Sequence, residues 1–406
     1  MADFFQHPQI PTLHHLAEPD PASVQLDLMK WSADRPIALL LPALFAECER
    51  PALPQILNEV SQAAYVSEIV ISMNGMDAAQ LSVAKELFQK RLPNKAVHVL
   101  WNDGPAMTAI HERISGPESL HRPGKGANIW AGLLYLKALG HQGIVVSHDT
   151  DIMNYSRSML AKLCYPLLHP RMPYRFSKGY YSRVSGRLYG RVTRLLIFPL
   201  IEAFRQVLGE TPLLQHLAAF RYPLSGEFAG TLDSIADFHL PSGWGLEISM
   251  LCETQRKLPN REQCQVDLGF HFEHRHRTLD SGPTPLREQG LVTAAAEVAR
   301  CLAFHLLRDA DPRGSEGLMR LALDRYRVTA ADWLERYEHV ALINGLEHDR
   351  LEEETAVAAF TEALEILTRS SGSGGLKTEG TRPSPASVLH TDPTIGRAIS
   401  DAAITI

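Results

Sequence analysis

The chain lacks long apolar runs, paired cysteines, a surplus of basic charge and a basic-then-apolar start, and each absence removes a class of protein. Its longest apolar stretches, such as IALLLPALF from Ile37, stop near nine residues. A bilayer span needs about 20, so no membrane association is expected. Cys48, Cys164, Cys252, Cys264 and Cys301 are few, odd in number and widely spread, with no C-x-x-C pair. They read as reduced, mostly buried thiols, and MADFFQHPQIPTLHHLAEPD carries no secretory pattern, which together point to the cytoplasm. A formal net charge of −6 gives the whole molecule no attraction for nucleic acid or anionic lipid, so any basic cluster is read locally. A phosphate-binding P-loop is missing as well, because in Arg122-Pro-Gly-Lys125-Gly126 a glycine follows the lysine where the motif needs Ser or Thr.

What is present suits a large enzyme. The 406 residues, 45% hydrophobic, suffice for a large core and suggest two domains. From Ile37 onward, IALLLPALF, EIVISM, VHVLW and GIVVSHD read as buried strands. Between them PALPQILNEVSQAAYV, AAQLSVAKELFQKRL and GKGANIWAGLLYLKALG carry apolar residues at helical spacing. That alternation predicts an α/β fold with a mostly parallel sheet, helices on both faces and ligands at the carboxyl ends of the strands. The expected organisation is an N-terminal segment over 1–35, an α/β domain over 36–280, a helical region over 281–369 and a tail over 370–406. The tail is rich in Gly, Ser, Pro and Thr, and its composition predicts disorder, so truncation after Arg369 is expected to leave folding and catalysis intact.

Five constellations could carry chemistry. Asp149 and Asp151 stand at i and i+2 after the fourth strand, where carboxylates can share a divalent cation with two phosphates, unless they are plain turn residues. Lys125 opens a helix whose free amides would suit a diphosphate. Arg171 to Arg194 hold seven Lys/Arg and four Tyr without one acid, and Arg183, Arg187, Arg191 and Arg194 fall at helical spacing. They would form a strip for nucleic acid, a pocket for one small phosphate, or a solvated face. The run His271-Phe-Glu273-His274-Arg275-His276-Arg277 invites zinc together with Cys252 and Cys264, but eleven residues separate those cysteines, against roughly two to four in structural zinc sites. Finally, the glycines of Leu224-Ser-Gly-Glu-Phe-Ala-Gly230 and Gly243-Trp-Gly-Leu-Glu247 let backbone approach a ligand, and Glu247 can accept hydrogen bonds from sugar hydroxyls.

In order and spacing, LLPAL, RPGKG, the Asp-x-Asp strand end, GRVT, PLSGEFAG, GWGLE and QVDLGFHFEHRHR resemble the retaining glycosyltransferases of the glucosyl-3-phosphoglycerate synthase type, which have the GT-A nucleotide-diphospho-sugar fold. The resemblance spans about Pro36 to Leu279. It implies that Pro42, Ala43, Leu44 and Glu47 line the nucleotide, with Glu49 competing for the ribose. Lys125, Asp149 and Thr150 would serve the donor, and Asp151 and His274 would hold Mg2+ or Mn2+ on its diphosphate. Gly190, Arg191 and Thr193 would bind the acceptor phosphate, Leu224 would offer backbone to the donor sugar, and Glu247 would orient its hydroxyls. His276 stands beside the acceptor where the family more often has Asn, which leaves glycerate open as an alternative to 3-phosphoglycerate. EIVISMNG lacks the acidic end usual at the second strand, which leaves the base open between UDP- and GDP-glucose.

The reaction so implied moves glucose, or mannose, from a nucleoside-diphosphate sugar to the 2-hydroxyl of the acceptor, giving a compatible solute or its phosphorylated precursor. A homodimer joined through the helical C-terminal region accompanies it, with no nucleic-acid or membrane partner. Two rivals stand beside it: a nucleotidyltransferase, for which LLPALFAE offers no glycine-rich triphosphate loop, and a nucleic-acid binding protein using Arg171 to Arg194.

Overall fold

The computed structural model describes residues 5–115, 123–269, 290–309, 311–371 and 381–406. The strands are β1 (Thr12–Leu13), β2 (Ile37–Leu44), β3 (Val66–Asn74), β4 (Ala96–Trp101), β5 (Ile144–Ser147), β6 (Phe176–Tyr180), β7 (Val184–Ser185), β8 (Arg187–Leu188), β9 (Phe228–Thr231), β10 (Gln263–Asp267) and β11 (Ile404–Thr405). Helices α1 (Pro21–Ser32), α2 (Ala52–Ser61), α3 (Ala78–Arg91), α4 (Pro105–Ser115), α5 (Lys125–Ala138) and α6 (Arg157–Leu168) belong to the first half. Then come α7 (Phe198–Leu208), α8 (Pro212–Ala219), α9 (Leu232–Ile235), α10 (Leu246–Lys257), α11 (Gly290–Leu307), α12 (Pro312–Ile343), α13 (Arg350–Ser371), α14 (Pro385–Thr391) and α15 (Thr394–Ala402).

Nine of these strands make one mixed sheet in the order β1-β10-β6-β9-β5-β2-β3-β4-β11. The pairs β5/β2, β2/β3 and β3/β4 are parallel, as the alternation of elements predicts, while β9 and β11 run antiparallel to their neighbours. The pleat of β2 explains why its run is apolar throughout. Ala38 and Leu40 face the core shared with α5, whereas Ile37, Leu39 and Leu41 face the core shared with α2 and α3. Gly132 of α5 leaves no room for a Cβ beside Leu40, so helix and strand pack in close contact.

α5 is buried along almost its whole length, from Gly126 to Leu136. A helix that is apolar on every face needs a second cover, and the C-terminus supplies it. α14 and α15 pack on α5, Val388, Ile395 and Ile399 enter the core, and β11 pairs with β4 at Ile404 and Val99. The Trp130 indole donates to Pro383 O at 2.7 Å, and the Arg382 guanidinium lies 5.0 Å from the Trp130 ring centroid. Residues 381–406 are therefore folded, which corrects, for these residues, the disorder predicted from composition for 370–406; 372–380 lie outside the described residues. Loop-like composition reports a lack of intrinsic propensity, whereas this segment is ordered by the surface it covers.

Of the helical region predicted over 281–369, the described residues from Gly290 onward form α11, α12 and α13, and their apolar residues join the same core as α5 and α10. α11 is the one helix among the described residues long and apolar enough by composition to cross a bilayer, yet 56% of that span is buried inside the fold. All five cysteines are free, four of them buried.

Candidate active site

The carboxyl ends of β2 and β5, the start of α5, the segment after β8, the β9 approach and the start of α10 enclose one cavity of about 640 Å3. Pro42, Ala43, Leu44, Glu47, Lys125, Asp149, Thr150, Asp151, Gly190, Arg191, Thr193, Leu224 and Glu247 all line it. His274 and His276 lie outside the described residues. Glu47 is buried and paired with Arg50, whereas Glu49 is exposed and off the wall. Among the described residues, no three His, Cys, Asp or Glu side chains gather as a metal cluster. The histidines that a zinc site with Cys252 in α10 and Cys264 in β10 would draw on, His271 to His276, lie outside the described residues.

The floor is electrostatic. Lys125 enters from the first turn of α5, and its Nζ lies 2.5 Å from Asp149 Oδ1 and 2.8 Å from Glu247 Oε1. Burial by itself would lower the Lys125 pKa, but the charges of Asp149, Glu247 and Glu227 outweigh it and hold the ammonium well above the ordinary lysine value. Beneath it, Lys178 of β6 is fully enclosed and donates to Ser225 O. Burial brings its pKa down to about 8, with Glu247 pulling upward and Lys125 pushing down. Glycines allow this compression: a Cβ at Gly226 would overlap the Asp149 carboxylate, and one at Gly126 would overlap Pro241 O.

A neutral polar wall backs β2. Asn128 Nδ2 donates to Ala43 O at 3.2 Å and Asn74 Oδ1 at 3.1 Å, and Asn128 Oδ1 accepts from Asn102 at 2.8 Å. Thr150 Oγ1 donates to Pro42 O at 3.2 Å, tying the end of β5 to the end of β2. Arg183, Tyr181 and Tyr222 form another wall near Asp151; against burial, Tyr222 and Tyr181 first and Asp151 last raise the Arg183 pKa.

The basic stretch is arranged differently from the prediction. Arg183 to Arg194 do not share a helical face; β7 and β8 form a hairpin, and a π-helical turn over Val192–Ile197 follows. Gly190, at φ +76°, makes the reversal between them. Nor are these arginines without acids, because the first turn of α13 brings Glu352 and Glu353 against them. Arg191 lies 2.5 Å from Glu352 and 3.1 Å from Glu353, Arg194 is 2.8 Å from Glu353, and Arg187 also pairs with Glu352. The continuous cationic strip that a nucleic-acid reading requires is not formed by these residues.

Sequence reasoning missed Asn74, Asn128, Lys178, Glu227 and Glu352. A lysine inside the strand FSKGY, and an acid framed by glycines in SGEFAG, are the local signals that could have found two of them. Nothing local marks Glu352.

A divalent cation fits Asp151. Hard cations take oxygen donors, and one or two carboxylates with substrate phosphate suffice for Mg2+; Asp149 and Asp151 both stand on the cavity wall just beyond β5.

No family model matches the chain. Glucosyl-3-phosphoglycerate synthase of Persephonella marina is 37% identical over 365 residues, 90% of this chain and 89% of that protein. The enzyme of the same name from Methanococcoides burtonii is 31% identical, over 89% of this chain and 88% of its own. The crystal structure of glucosyl-3-phosphoglycerate synthase from Mycobacterium tuberculosis in complex with Mn2+, uridine diphosphate and glucosyl-3-phosphoglycerate matches with a TM-score of 0.52 at 25% identity, covering 73% of this chain and 88% of that chain. Its complex with Mg2+ and uridine diphosphate matches with a TM-score of 0.51. With a GT-A-like sheet, a cavity at its strand ends and this identity over nine-tenths of its length, the chain belongs to the glucosyl-3-phosphoglycerate synthase family of glycosyltransferases.

Proposed function

We infer that this protein moves glucose from a nucleoside-diphosphate glucose to the 2-hydroxyl of 3-phosphoglycerate, giving glucosyl-3-phosphoglycerate. The observation that carries the reading is the placement of Lys125. It is pinned between Asp149 and Glu247 on a wall shared with Asp151 and faced by Gly190, Arg191 and Thr193.

Pro42, Ala43 and Leu44 line the nucleotide, backed by the Asn74–Asn128 wall, with Glu47 at the ribose. Asp151 and His274 would hold Mg2+ or Mn2+ on the diphosphate, where the cation neutralises charge on the departing group. That group needs no protonation, so no general-acid carboxylate of the glycosidase kind is required. Lys125 adds fixed positive charge beside the diphosphate and, through its 2.8 Å ion pair, keeps Glu247 oriented for the sugar hydroxyls. Leu224 offers its backbone to the sugar. Arg191 and Thr193 take the acceptor phosphate by a guanidinium fork and a hydroxyl.

The enzyme acts in the cytoplasm as a homodimer, with Leu321, Val328, Leu342 and Ile343 of α12 supplying exposed apolar surface for the contact. Sedimentation of the purified chain checks the dimer. The reaction itself is tested by a matrix of UDP- and GDP-linked glucose and mannose against 3-phosphoglycerate and glycerate, with Mg2+ or Mn2+. Turnover should be highest with a glucose donor and 3-phosphoglycerate; a preference for glycerate or mannose would overturn that assignment of substrates.

A further inference from the structure

Two adjacent carboxylates of α13 meet the arginines of the acceptor segment, and their surroundings give them different capacities. Glu353 is buried, with a side chain only 3% exposed, and both its oxygens bond Arg194, at 2.8 and 3.0 Å. It also holds Arg191 Nε at 3.1 Å. A carboxylate so enclosed and so fully bonded is a fixed part of the fold. Glu352 is different. Its side chain is 23% exposed, it lines the cavity, and it spreads one oxygen to Arg191 and the other to Arg187.

A bridging carboxylate on two guanidiniums has the shape and charge of a small oxyanion bound there. We propose that Glu352 is a specificity-determining residue of the acceptor pocket: its carboxylate holds the anion position on Arg187 and Arg191 and gives way when the acceptor's phosphate binds. The inference rests on the reading of Gly190, Arg191 and Thr193 as the acceptor segment.

Three features allow the exchange. Glu353 keeps its hold on Arg191 Nε, so the guanidinium stays in place when Glu352 leaves. Glu352 sits in the first turn of a 22-residue helix, its own amide donating to Asp349 Oδ1 at 2.9 Å, where the positive end of the helix stabilises a carboxylate turned toward water. The turn before α13 is fastened to the hairpin that carries Arg187, because Glu347 N donates to Gly186 O at 2.9 Å. Departure of the side chain therefore leaves the wall standing. The consequence is discrimination. A phosphate dianion replaces the carboxylate with more charge and more oxygens, whereas an uncharged end of an acceptor cannot displace it.

Direct titration tests this, using inorganic phosphate, 3-phosphoglycerate and glycerate as probes on the full chain with Mg2+ and uridine diphosphate present. Glu352→Gln removes the competing charge, so phosphate and 3-phosphoglycerate should bind about three- to tenfold tighter than to wild type, with glycerate unchanged. Unchanged or weaker phosphate affinity in a variant that melts like wild type overturns the proposal, as does a wild type that binds no phosphate. Should Glu352→Gln not fold, Glu352→Asp keeps the charge but draws it back from the arginines and should tighten phosphate binding in the same direction; no tightening there overturns it equally. Turnover is measured separately. A wild type that binds phosphate but transfers no glucose would defeat the proposed reaction and leave the competition at Arg187 and Arg191 to be judged by the titration.

Discussion

Arg191 has three jobs, and a substitution there touches all of them. It faces the cavity, answers Glu352 and helps to neutralise the buried Glu353. Arg191→Ala should raise the Michaelis constant for 3-phosphoglycerate about tenfold to a hundredfold, the worth of one charge-assisted hydrogen bond. Donor binding and the use of glycerate should change little, although the melting temperature should fall because Glu353 loses a partner. Equal loss on both acceptors would show that Arg191 serves the fold or the donor instead. At the same scale, three buried histidines stay neutral. Burial brings His148 down to about 3 and His216 and His305 down to about 4, against 6.5 in a free side chain. The geometry at His305 agrees, since its Nδ1 accepts from Arg256 at 2.7 Å and leaves Nε2 to donate to Ser249 at 3.2 Å. Below about pH 6.5 the unfolded chain takes up these protons and the folded chain does not, so each such group costs about 1.4 kcal/mol per pH unit until its folded pKa is reached. Melting temperature should therefore decline from about pH 7 toward pH 4.5, and His305→Gln should make that decline shallower. An unchanged slope would show that His305 is already protonated in the fold.

At the scale of elements, the C-terminal segment acts as a strap. Arg382 bonds Ser242 Oγ and His111 Nδ1, each at 3.0 Å, and its amide donates to Leu240 O. Ser242 in turn accepts from Ala127 N at 3.0 Å, in the first turn of α5 next to Lys125. The strap therefore fixes the loop that leads into α10, and with it the spacing of Lys125 and Glu247. Truncation after Arg369 uncovers Trp130 and removes Val388, Ile395 and Ile399 from the core. At roughly 1.5–3 kcal/mol for each large apolar side chain, the melting temperature should drop by about 5 °C or more, and turnover should fall with it. A truncated chain with wild-type melting and rate would show that the strap is dispensable.

At the scale of the molecule, the cavity is built from groups far apart in sequence that meet at one strand end. Asp151→Ala should remove most turnover while leaving the melt nearly unchanged, because Asp151 is a half-buried loop residue on the cavity wall and outside the apolar core. Excess EDTA should act the same way on wild type; full activity under either condition would rule out the cation. The α/β alternation, the buried strands and the Asp-x-Asp end were legible in the sequence because period and punctuation are local properties. So were LLPAL, RPGKG, GRVT and GWGLE, whose spacing pointed to one family. What the chain could not reveal one segment at a time was partnership. Lys125 sits 122 residues from Glu247, and Arg191 is 162 from Glu353, so their charges meet only when the sheet and α13 close around them. The last residues followed the same rule: their composition predicts no structure of their own, and they are ordered because α5, apolar on every face, required a cover that only the folded molecule could supply.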